Sequence, residues 1–148
     1  MAGTGVFPVY NNVFKIGSKG RASAAEDMVA IADLETFSPV INGKKENWTP
    51  MDQSGWDRNA ITGKGLTITF KGKRNYGDAG NDYIGNKLLS TGQDCESVFE
   101  WDFPNGAKIK GNCVIDLKIP AGGDTIKIDT LEFDILFDGK PIFTPAAG

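Results

Sequence analysis

The chain has 148 residues, a length that suits one domain able to bury its own core without disulfides or metal. Apolar residues make up 40% and charged residues 24%, while 19 glycines and 7 prolines call for many turns and therefore for strands. The formal charge is −3 and histidine is absent, which removes Ser-His-Asp and Cys-His nucleophilic pairs together with the commonest metal ligand.

Residues 1–22 gather one apolar set, Val6, Phe7, Val9, Val13, Phe14 and Ile16, among Gly, Asn, Ser and Lys, and read as an edge strand with loose ends. The start, MAGTGVFPVY, has neither the basic region nor the apolar core of a signal peptide, and no apolar run approaches ~20 residues. A cytosolic chain that spans no membrane is expected. Residues 23–35 are ambiguous: Ser23-x-x-Glu26 fits a capping box and the alanines favour helix, whereas Glu35, Phe37 and Pro39 make a helix past Leu34 poor. Residues 42–62 carry Gly, Pro, Asn and Asp and read as a long inter-strand loop. Its aromatics argue against disorder.

Leu66, Ile68 and Phe70 alternate with Thr67, Thr69 and Lys71, the period of a half-buried strand. Turn formers at 75–80 lead to Asn81, placed to cap a short helix over about 81–91 with Ile84, Leu88 and Leu89 on one side. A hairpin follows. A three-residue loop, Pro104-Asn105-Gly106, with Gly106 left-handed at a bulge, sets Phe103 opposite Ala107, Asp102 opposite Lys108, Trp101 opposite Ile109 and Glu100 opposite Lys110. A two-residue loop would put unlike side chains on every rung. In this register Cys113 faces Ser97 and Cys95 lies one pair away, so two reduced, mostly buried thiols are expected. Residues 120–124 turn the chain, and Ile126 and Ile128 start a strand that changes parity to Leu131, Phe133, Ile135 and Phe137, implying a bulge near Asp129 and Thr130. A last short piece, 141–143, precedes a fraying end.

The run GKGLTITFKGKRNYGDAGNDYIGNKLL, with FEWDFPNGAKIKG after it and DGKP near the end, resembles the tail-tube (major tail) proteins of long-tailed phages and prophages of Gram-positive bacteria. The resemblance spans roughly residues 28–145. It implies a mainly β fold, an antiparallel sandwich or barrel-like tail-tube domain over 1–148 with one flanking helix. It also puts a strand over about 29–41, against the helical reading of 23–35. Functionally it implies a virion subunit, made in the bacterial cytoplasm, that forms hexameric rings stacking into a hollow tube for DNA passage. Tape-measure, tail terminator and tail-tip proteins would be its partners, with no cofactor and no enzymatic activity. The ends, about 1–12 and 144–148, would be mobile before assembly.

Charge is spread unevenly, +3 over residues 1–75 and −6 over 76–148, which suits head-to-tail contact between copies and equally suits solvated faces without a partner. Within 42–62, Trp48, Pro50, Met51, Trp56 and Arg58 have the composition of an interface hot spot and are the candidate inter-subunit residues. Asp129, Glu132, Asp134 and Asp138 have only Lys127 and Lys140 close in sequence and are the candidate acids of a channel wall, or else face outward and keep the particle soluble, since alternation fixes two faces without saying which sheet lines the channel. Lysine partners across the hairpin should keep Glu100 and Asp102 ionised, which makes a hydrolytic carboxylate pair the weakest reading. Asp78 and Asp82 lack EF-hand spacing, and Gly63-Lys64-Gly65 is not a Walker loop. A rival from another class is a carbohydrate- or peptide-binding β-sandwich module with Trp48 and Trp56 as an aromatic platform.

Overall fold

A computed structural model describes residues 3–146; the ends of the two segments expected to be mobile, 1–2 and 147–148, lie outside the described residues. In chain order the strands are β1 (Val13–Gly17), β2 (Met28–Ala30), β3 (Leu34–Trp48), β4 (Arg58–Lys73), β5 (Glu96–Asp102), β6 (Lys108–Ile119), β7 (Thr130–Phe137) and β8 (Ile142–Thr144), with helix α1 (Ala79–Gly85) between β4 and β5. They form one antiparallel sheet in the order β2-β1-β5-β6-β7-β4-β3, with β8 added to the free half of β6. The sheet curls until its ends meet. Phe14 of β1 packs edge-on against Phe37 of β3 and Phe70 of β4, each at 4.8 Å between ring centroids. The link 31–33 crosses the gap, donating from Ile31 N to Phe14 O and accepting at Asp33 O from Lys73 N.

Period-two alternation built this core. On β7, Leu131, Phe133 and Ile135 are fully buried while Glu132 and Asp134 point the other way. Ile68 and Phe70 of β4, Phe99 and Trp101 of β5, Cys113 and Ile115 of β6, and Phe14 and Ile16 of β1 complete the inner face, which Ile84 of α1 closes. Burial pushes the Cys113 thiol up to about 12, and both cysteines are free, as expected.

The β5–β6 hairpin has the expected register, from Asp102 opposite Lys108 to Ser97 opposite Cys113. Phe103 N donates to Ala107 O and Gly106 N to Phe103 O, with Gly106 at φ 97°, where a side chain would be strained. Other expectations are corrected. Strand β1 is interior, since β2 covers its outer side. Residues 25–27 form a single 3-10 turn, and the expected strand over 29–41 is broken at 31–33, where the chain passes from one end of the sheet to the other.

Helix α1 is shorter than expected and starts earlier, because Asp78 is its cap, accepting from Asn81 N at 3.0 Å. Asn81 is instead wholly buried. Its Oδ1 accepts from Arg74 Nη1 and Asn75 N, and its Nδ2 donates to Ala32 O and Lys73 O. Arg74 also pairs with Asp82 at 2.7 Å, holding that carboxyl below its ordinary range, and stacks on Tyr76. The helix ends at Gly85, packed against Arg74, so Leu88 and Leu89 fall in an exposed turn. Gly80 lies so close to the link after β2 that a Cβ would strike the Ala30 carbonyl. Ile126 and Ile128 are likewise exposed and precede β7, because Lys127 N and Thr130 N bond back to Asp124 O and Gly122 O. The bulge of this region is at Lys118 of β6, where the register with β7 shifts between Leu117 and Ile119.

Candidate self-assembly surface

The long loop expected over 42–62 is mostly strand. Strands β3 and β4 pair without interruption of the ribbon from Phe37 opposite Phe70 out to Trp48 opposite Arg58, with one shift between Lys44 and Lys45 that leaves Thr62 as the extra residue. Only the inner part is supported: β7 pairs with β4 from Thr67 to Lys73 and no further. Beyond Leu66 the two strands form an arm with no third strand among the described residues, and nearly every residue on both its faces is exposed. Such a ribbon is marginal in water by itself. Pro39, which has no amide hydrogen to give, is tolerated because the outer side of β3 is an edge.

The tip brings all five candidate interface residues together. Trp48 ends β3 and Arg58 opens β4, with the guanidinium 5.4 Å from the indole. Between them Pro50 leads into a 3-10 turn at Met51–Gln53, Trp56 N donates to Gln53 O, and Thr49 Oγ1 donates to Asp57 Oδ1 at 2.6 Å. Met51 is fully exposed and Trp56 is 76% exposed. Neither tryptophan reaches the core. A large apolar group held out at the end of a stem is costly in water and is the residue type on which interface energy concentrates.

The four candidate wall acids do not form one cluster. Asp129 sits in the loop before β7, its carbonyl taken by Arg74 N, and Asp138 follows β7 and pairs with Arg21 at 2.8 Å. Glu132 and Asp134 share the outward face of β7, where Glu132 lies opposite Lys71 and Asp134 is 3.4 Å from Lys118. Lys118 also meets Asp116, and both acids, Asp134 first, raise its pKa. The same interleaving continues onto β5, but with a different cation from the one expected. Lys15 of β1 sits 3.8 Å from Glu100 and 3.6 Å from Asp102. Nor do lysines hold Glu100 at an ordinary value, because burial and then the neighbouring Asp102 carboxylate push it up. Lys118 was within reach of sequence reasoning, since it follows Lys108, Lys110 and Asp116 in the outward phase of β6; Lys15 was not, because its pairing depends on which strand lies beside β5.

No family model matches the chain, and no curated protein matches it. Solved structures do. Over 95% of this chain and 100% of the other, it superposes with TM-score 0.73 and 16% identity on a chain in the tail of an empty GTA particle, computed by helical refinement with C6 symmetry. The chain has a tail-tube fold. A chain from the virion of a native gene transfer agent particle gives TM-score 0.69 at 16% identity, with the same coverage. One in the extended sheath-tube complex of an extracellular contractile injection system, PVC, gives 0.56 at 13% identity, covering 96% of this chain and 93% of that one. The tail-tube fold implied by the resemblance over roughly residues 28–145 thus covers 95% of the chain, including the arm that the sequence left as a loop.

Proposed function

We propose that the protein is a structural subunit of a virion tail tube, assembling into six-membered rings that stack around a channel for DNA. The observation that carries this is the likeness, over 95% of the chain, to a tail chain from a particle with C6 symmetry. The arm fits the same reading. A two-stranded ribbon exposed on both faces, ending in Met51 and Trp56, gains burial only from another molecule, and in a homopolymer that molecule is a second copy. Tape-measure, terminator and tail-tip proteins would meet the tube at its centre and ends. The outward face of β6, β7 and β4 supplies the channel wall in this account. Its alternation of Lys118 with Asp134 and Lys71 with Glu132 offers passing phosphates no basic stripe to grip, so counterions are not released at each step. Deleting residues 45–56 leaves the core strands intact, and the deleted chain should remain a folded monomer that forms no tubes in negative-stain micrographs; normal tubes from it would refute the role of the arm.

A further inference from the structure

The arm has a tip built to be buried, and the same ribbon has at its root a groove built to bury something. Ile41 of β3 and Leu66 of β4, paired across the ribbon, form one wall, and Phe137 and Pro141, flanking the turn from β7 to β8, form the other. Lys64 and Lys140 stand at its sides, and the cavity of about 470 Å³ presents more apolar than polar surface. Gly65 and Gly139 also line it, and a Cβ added at either would meet no atom of the described residues. Asp138, the acid nearest in sequence, is already taken by Arg21.

The charges of groove and tip are opposite. The turn itself, from Thr49 to Asp57, carries Asp52 and Asp57 and no basic residue, with Arg58 lying over Trp48 at its base, whereas the groove's charged residues are two lysines. The apolar parts match too. Trp48 is engaged by Arg58 of its own chain, which leaves Met51 and Trp56 as the free apolar groups, and a groove of this size holds an indole with a thioether beside it.

We propose that the tip of one copy's arm, Met51 and Trp56 with Asp52 beside them, seats in the groove between Ile41, Leu66, Phe137 and Pro141 of a second copy, its acids facing Lys64 and Lys140. This rests on the self-assembly reading and names the receptor that reading requires. Tip and groove are different patches of one chain, so the contact is heterologous and repeats from copy to copy. Strand rise over the residues from Ile41 to Trp48 puts tip and root about 25 Å apart. Neighbours joined this way would therefore be offset by about one arm length. An arm folding back into its own groove is excluded, because the extended pairing from Ile41 to Trp48 keeps the tip away from it.

The test is a directed cross-link between full-length chains, all carrying Cys95→Ser and retaining the buried Cys113. Met51→Cys chains are mixed with Lys140→Cys chains and mildly oxidised over a range of concentrations, with Lys127→Cys, in the loop at the opposite end of β7, as control. A disulfide-linked dimer should form in the first mixture, grow with concentration and stay at background with the control. Adding Asp52→Lys to the tip, or Lys64→Glu to the groove, should lose most of the linked product, and combining the two reversals should recover it. Equal linkage to Lys127→Cys, or no linkage to Lys140→Cys at any concentration, overturns the assignment. If deletion of residues 45–56 abolishes tubes while that cross-link is missing, the groove is wrong and the arm's role stands; if the deletion leaves tubes intact, the self-assembly role of the arm fails first.

Discussion

Strands β3 and β4 belong to two different regimes along one ribbon. At the root, Phe37 and Phe70 face each other across the ribbon and Phe70 also touches Phe14, Phe99 and Phe133, so Phe70 is held by aromatics from four different strands. Past Leu66 the same two strands stay paired, through the one shift at Thr62, with nearly every residue exposed on both faces. Backbone pairing is equally complete in both halves. Burial differs, and burial decides whether a residue stabilises the subunit or waits for a partner.

Substitutions on either side of that divide should separate stability from assembly. The largest effect is expected for Phe70→Ala, which empties the centre of the aromatic cluster and should cost about 3–5 kcal/mol in denaturant unfolding. Trp56→Ala, an equally drastic truncation at the tip, should change monomer stability by less than about 0.5 kcal/mol while reducing tube formation. A comparable loss of stability from both would erase the distinction between the halves.

Next in size is Asn81→Ala. All its polar atoms are bonded in a buried site that ties β4, α1 and the link after β2 together, so its removal strands several partners and should cost about 2–3 kcal/mol by the same measurement. Acid should act on this site as well. Arg74 holds Asp82 below its unfolded value, so its contribution is full above about pH 4 and is lost as the pH falls through the lowered folded value.

The smallest effect is expected on the outward face of β5, and its sign is opposite. Glu100 has a raised pKa in the folded chain, so its protonated form is the better accommodated one, and the stability it allows is full below its unfolded pKa and lost as the pH rises through the folded value. Glu100→Gln mimics the protonated form. It should unfold at slightly higher denaturant than the parent at pH 7 and at the same denaturant near pH 4; a variant less stable at pH 7 would show that the Lys15 contact outweighs the burial.

The hairpin of β5 and β6 could be read to the residue because three signals agreed there: a Pro-Asn-Gly turn, apolar alternation on one face and charge alternation on the other. Along the arm none of these was present. A strand buried on neither face needs no alternation, so Asn42, Gly43, Lys44 and Lys45 carry the composition of a loop while adopting the geometry of a strand. Leu88 and Leu89 misled in the other direction, since an apolar pair at helical spacing after Ile84 reads as a buried helix face and is in fact exposed. The tip residues were legible as a group because their composition did not suit an idle loop. The groove was not, since Ile41, Leu66, Phe137 and Pro141 meet only through the pairing of β3 with β4 and the return from β7 into β8.

Whether another copy covers the arm is visible in a cryo-electron microscopy map of concentrated full-length protein. Hollow tubes of six-fold rings are expected, with Met51 and Trp56 of every subunit buried against a neighbour and acidic and basic residues interleaved along the channel wall. A monodisperse monomer at every concentration, or tubes whose arms extend into solvent, would contradict this expectation.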